Sequence, residues 1–215
     1  MKILYLVHAF FPENRYGTEK FIFQIAAEMQ KRGHEVKVIA NSFYPDTDYY
    51  KFSDDLLVRE FDYKNIPVLA YKTLKQDHKD KYDLRMLKLK KLAGQVLPKE
   101  KPDVLHIGHA MGTGAFIHEA FRLKIPYVVT LTDYFLMCPK INLLDSAGGI
   151  CNTFGKKGLC KACPDLKISV RRRLRQAEII LKNAAIVTAP SAFVKNRFQK
   201  EFPGVSVYVV NHGIN

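Results

Sequence analysis

Glycine and proline are ordinary in number, 12 and 10 among 215 residues, and no segment is low in complexity or repeated. That excludes a collagen-like chain, and 47% hydrophobic residues leave too much to bury for disorder. No run reaches the roughly eighteen uncharged apolar residues that a membrane-spanning helix needs. The apolar stretch between Lys2 and His8 is too short for the core of a secretory signal. The chain therefore reads as neither integral nor exported. Cysteine is scarce: Cys138, Cys151, Cys160 and Cys163 are too few and too local to staple a domain of this size, which points to a reducing compartment, the cytoplasm. Acidic residues are the minority, 21 against 34 Lys and Arg, a net charge of +13 that attracts phosphate-rich or anionic partners without naming one. Nucleic acid fits poorly. The basic runs at 72–101 and 156–175 hold few aromatics, and no helix-turn-helix, RNA-recognition or zinc-finger signature occurs.

What is present is alternation. Residues 2–8 (KILYLVH) have the near-continuous hydrophobicity of a strand buried on both faces. After a loop with Pro12 and Gly17, Thr18 is placed to cap a helix in which Phe21, Ile22, Ile25, Ala26 and Met29 share a face, and Lys31-Arg32-Gly33 ends it. Residues 35–40 form the next strand, which closes a strand-helix-strand unit. Further strands are expected at 57–61, 104–107, 127–131, 185–188 and 205–210. Helices are expected at 82–97, ended by Pro98, and at 113–123, 168–183 and 191–202, the last capped by Ser191. This pattern predicts an α/β fold, a doubly wound, parallel, Rossmann-like sheet with helices on both faces and ligands beyond the carboxyl ends of its strands.

Candidate chemistry follows from position. The loop at 11–19 opens the first helix, where free N–H groups and the helix dipole suit an anion and Gly17 permits close approach; a simple structural turn is the alternative. It lacks the G-x-G-x-x-G dinucleotide fingerprint. His109 lies past the end of the strand VLHI, whereas His106 within it reads as a satisfied core residue. Asp133 follows the strand YVVTLT and could orient a sugar hydroxyl or serve a proton, with a turn or cap role as the alternative. Residues 133–164 form a long aperiodic loop holding all four cysteines, and Cys160-x-x-Cys163 with Cys138 and Cys151 suits a closed, structural tetrathiolate site. Zinc is its first candidate, an iron–sulfur cluster the second, with free thiols and disulfides as the metal-free alternatives.

Taken together, MKILYLVHAFFPENRYGTEKFIFQIAAEMQKRGHEVKVIA, PDVLHIGHA, IPYVVTLTDYFLMCP, AAIVTAPSAFVKNRF and VVNHGIN resemble the amino-terminal half of glycosyltransferase family 4, retaining enzymes of the GT-B architecture. The resemblance implies a nucleoside diphosphate sugar as donor, no catalytic metal, and an acceptor that is a glycan, a lipid-linked sugar or an envelope polysaccharide. It implies hexosyl transfer, with His109 and Asp133 as catalytic residues and Gly17, Thr18, Glu19 and Gly213 at the donor phosphate and sugar. Tyr16 stands where the family usually has the first of two glycines, and Thr132 where it usually has a histidine before Asp133. Cys138-Pro139 and the later cysteines resemble a Cys-rich insertion found in a subgroup. On this reading residues 1–210 are the acceptor-side domain and 211–215 begin an interdomain hinge. The donor-binding carboxyl-terminal domain is then a missing partner, and the chain alone is expected to be inactive. Family members often work at the inner membrane face, and Lys81, Arg85 and Lys88 at i, i+4, i+7 would suit an anionic surface. The rival reading is a non-catalytic module with a metal-held loop that contacts an anionic membrane, protein or nucleic acid.

Overall fold

The computed structural model describes residues 1–42, 48–75, 82–145, 147–151 and 170–213. Strand β1 (Lys2–Val7) is buried from Ile3 onward and lies at the centre of the sheet. Helix α1 (Gly17–Lys31) returns antiparallel to it and stops where Gly33, at φ +82°, lets the chain turn, with N–H groups of Gly33 and His34 closing on Gln30 and Met29. Strand β2 (Glu35–Asn41) then pairs parallel to β1. The remaining elements are β3 (Tyr50–Ser53), β4 (Leu56–Tyr63), β5 (Ile66–Thr73), α2 (Lys90–Glu100), β6 (Val104–Ile107), α3 (Gly114–Arg122), β7 (Tyr127–Thr130), α4 (Val170–Lys182), β8 (Ile186–Ala189), α5 (Ala192–Glu201) and β9 (Tyr208–Val209). The described sheet has nine strands in the order β3-β4-β5-β2-β1-β6-β7-β8-β9. Only β4 runs against the rest.

Two departures from the sequence pattern matter. The single short strand expected at 57–61 is the middle of a three-stranded β3-β4-β5 segment, turned at Lys64 and Asn65 with φ of 49° and 66°, the left-handed pair of a two-residue hairpin. Pro67 is tolerated in β5 because pairing to β2 starts only at Val68. The helix expected at 82–97 begins later: Met86 adopts φ +43°, a 3-10 turn follows at Leu87–Leu89, and α2 runs through Pro98 to Glu100. Pro98 therefore lies inside the helix, near its carboxyl end, and does not end it. Consequently Arg85 and Lys88 do not share an α-helical face. Arg85 precedes the 3-10 turn, Lys88 donates to the carbonyl of Lys75, and Lys81 lies outside the described residues.

The sheet has unequal faces. Leu4, Leu6, Leu105, Ile107, Val129 and Val187 point to the face covered by α2 to α5 and form the larger core. Ile3, Tyr5, Val7, Val36 and Val38 point to the other face, where Ile22 and Ala26 of α1 cover them. Beyond α1 that second face is open: Ile186, Tyr208 and Val210 are 45%, 60% and 54% exposed. A groove of about 570 Å³ runs there between α1 and Val128, Thr188 and Val210, with His212 stacked on Phe21 at 3.9 Å.

Candidate functional site

β1 is flanked by β2 on one side and β6 on the other, so the chain winds away from it in both directions and leaves a crevice at its carboxyl end. His8 follows β1, His109 follows β6 and Asp133 follows β7, three neighbouring strand ends. The first turn of α1 closes the crevice from above. Its N-cap is Tyr16 and no side chain caps it, so Thr18 lies inside the helix and not at its cap. These residues line a pocket of about 370 Å³. A Cβ at Gly17 would meet nothing within 4 Å, so the packing does not demand glycine there and the space beside it is open to a ligand.

Hydrogen bonds fix the ring of His109. Its Nδ1 accepts from the N–H of Met111 at 3.1 Å, so Nε2 carries the proton and donates to Asp133 Oδ2 at 2.6 Å. The other oxygen of Asp133 accepts from the N–H of Phe135 at 2.7 Å. Burial pushes the Asp133 carboxyl up, but the His109 hydrogen bond and the Phe135 N–H help to outweigh it and hold the group below its usual range. The result is an ionised carboxylate at the pocket beside an oriented imidazole.

A second pair lies behind the first. His8 stacks on His109 with ring centroids 4.0 Å apart, and its Nε2 is 3.3 Å from Glu19 Oε1. Burial, then the neighbouring His109, push His8 down to about 3, so it is neutral at physiological pH. Glu19 is wholly buried, and neither of its carboxyl oxygens has a hydrogen-bond partner. Burial pushes it up; its own N–H, the charge of His109 and the Tyr16 N–H pull back only in part. A carboxyl raised in the folded state is a stabilising group while protonated and a cost once pH rises through its range. Glu19→Gln should therefore raise stability by about 1 kcal/mol near neutral pH, with the gain vanishing below the usual glutamate range. Urea midpoints at pH 7.5 and pH 4 test this, and equal midpoints at pH 7.5 would contradict it.

The other candidates fall in different places. Thr132 donates to the carbonyl of Gly108 at 2.9 Å and so ties two strand ends together. His106 meets Thr130 Oγ1 at 2.7 Å and is pushed down to about 4 by burial, the satisfied residue that its place in the strand predicts. Ser191 caps α5 by accepting from Val194. Gly213 lines the groove beside α1 and does not reach the His109 pocket. Cys138 and Cys151 are buried, and Cys160 and Cys163 lie outside the described residues. Among the described residues, no three His, Cys, Asp or Glu side chains are grouped to hold a metal ion. Nor is any described helix long and apolar enough to cross a membrane. Sequence reasoning gave His8 no role, although its place one residue past β1 was the available signal.

A family model described as Glycosyltransferase Family 4 matches residues 16–215. The chain belongs to glycosyltransferase family 4. Solved structures agree on the fold. Sucrose-phosphate synthase from Thermosynechococcus elongatus superposes with a TM-score of 0.61 at 13% identity, over 100% of this chain and 48% of that one. Anabaena HepE in complex with UDP-glucose gives 0.55 at 17% identity, over 100% and 44%. The catalytic domain of starch synthase IV from Arabidopsis thaliana, bound to ADP and acarbose, gives 0.54 at 12% identity, over 99% and 51%. No curated protein matches the sequence significantly. The family 4 chain thus has the Rossmann-like amino-terminal domain of a GT-B glycosyltransferase, and it spans about half the length of these relatives.

Proposed function

We propose that this domain is the acceptor-side half of a retaining glycosyltransferase that moves a hexose from a nucleoside diphosphate sugar. The observation that carries the reading is the ionised Asp133, bonded to an oriented His109, directly beneath the uncapped first turn of α1. N–H groups at Gly17 and Thr18 offer hydrogen bonds and the helix dipole to a diphosphate. When the bond from the anomeric carbon to that diphosphate breaks, positive charge grows on the sugar, and a fixed carboxylate a few ångströms away stabilises it without reorganisation. His109 holds that carboxylate in place.

On this proposal the donor lies in a cleft shared with a second α/β domain, which holds its nucleoside. HepE with UDP-glucose, of which this chain matches 44%, supports that division. The 215-residue chain alone should give no turnover, and a polypeptide extended through the second domain should transfer labelled sugar from UDP-hexose or ADP-hexose. Product stereochemistry read by NMR should retain the donor configuration. Repeated turnovers by the isolated chain, or an inverted product, would overturn the proposal.

A further inference from the structure

The basic run 171–173 reads in sequence as a solvated helical face, and two of its members, Arg171 and Arg172, are exposed. Arg173 is only 3% exposed. Its guanidinium turns inward from α4, donates through Nη1 to the carbonyl of Tyr82 at 2.5 Å and through Nη2 to the carbonyl of Phe135, and lies over the Phe135 ring at 4.3 Å. Burial pushes it down to about 10, so it remains a cation. A charge this deep, bonded to two backbone carbonyls with no carboxylate in contact among the described residues, is costly to bury, although Cys138, Asp133 and Asp83 are near enough to favour it.

Phe135 shows what depends on it. Its N–H holds Asp133 Oδ1, and its ring packs on His109 at 5.0 Å. The same residue thus touches both members of the His109–Asp133 pair, and Arg173 grips that residue by its carbonyl and its ring. We propose that Arg173 is a positioning residue: through Phe135 it fixes the loop after β7 so that Asp133 and His109 meet in one geometry. Lysine cannot replace it fully, because a single ammonium cannot reach both carbonyls while lying flat on an aromatic ring. The inference rests on the geometry of the site proposed for sugar transfer, but its test needs no transfer activity and can fail independently of that function.

The readout is amide hydrogen exchange in the 215-residue chain. The N–H of Phe135 reports its bond to Asp133, and the N–H of Met111 reports its bond to His109. In Arg173→Met both should exchange at least tenfold faster, while Leu6 N–H in the centre of the sheet keeps its wild-type rate. Arg173→Lys should fall between the two. A purely structural role would speed every core amide together, and that uniform change would overturn the proposal. Unchanged rates at Phe135 and Met111 would overturn it too. Should Arg173→Met fail to fold, Arg173→Lys decides alone by the same two amides measured against Leu6.

Discussion

Asp133→Asn should lower the rate of sugar transfer by the complete polypeptide a hundredfold or more, equivalent to about 3 kcal/mol of lost transition-state stabilisation. Asparagine keeps the shape but has one acceptor oxygen where aspartate uses two, one for the Phe135 N–H and one for His109 Nε2. Either the loop loses its tie or the imidazole does. The negative charge that faces the developing cation is lost in both cases. Stability should suffer far less, by about 1 kcal/mol, because the Asp133 side chain is one quarter exposed and water can serve a freed group. His109→Ala should impair transfer similarly but destabilise more, since its ring is almost fully buried and the Met111 N–H would be left without its acceptor. The decisive comparison is kcat against KM for the Asn variant: a fall in kcat at unchanged KM marks loss in the transition state. Wild-type turnover in Asp133→Asn would remove the pair from the reaction.

Gly114→Ala should be the most damaging single methyl in the domain. A Cβ there would lie 2.1 Å from the carbonyl oxygen of Leu84, 2.5 Å from its carbon and 3.0 Å from the Arg85 nitrogen, all main-chain atoms. Main chain cannot step aside as a side chain can. The segment concerned leads into Met86 at positive φ and carries the Tyr82 carbonyl that Arg173 grips, so displacing it disturbs α3, α4 and the start of the 3-10 turn together. A cost of about 3 kcal/mol or more is expected, which for a domain of this size lowers the melting temperature by about 6–12 °C. Gly108→Ala gives a contrast: its Cβ would come within 2.3 Å of Ile22 Cδ1 and 2.6 Å of Cγ1, side-chain atoms where Gly114 meets main chain, so its loss should be smaller. Gly17→Ala should leave melting almost unchanged. Thermal unfolding of the three variants checks the order, and a Gly114→Ala protein as stable as Gly17→Ala would refute it.

Sequence logic located the parallel core well because its signals are local. β6 runs over Val104–Ile107 as its apolar run predicts, and α1 stops at the cations and glycine that mark its end. β4 was found at 57–61 but its partner β5 was missed, because Pro67 argues against a paired strand until the register with β2 is known. α2 was misplaced because apolar spacing continues through Met86, while the backbone there turns left-handed. His109 and Asp133 each follow a strand, and the fold brings these two candidates together although 24 positions separate them. Which of several adjacent arginines is buried cannot be read from charge. Only the rotation of α4 against the loop after β7 selects Arg173 over Arg171 and Arg172.

The half-bare sheet face also decides how such a chain behaves in concentrated solution. One edge strand, β9, is only two residues long, and the other, β3, is four residues long and carries Lys51, so neither is a good template for fibril growth. The adhesive area is broadside, where Ile186, Tyr208 and Val210 meet water. Any association of crowded molecules is therefore expected broadside, through this face, with the hydrogen-bond ladders left intact.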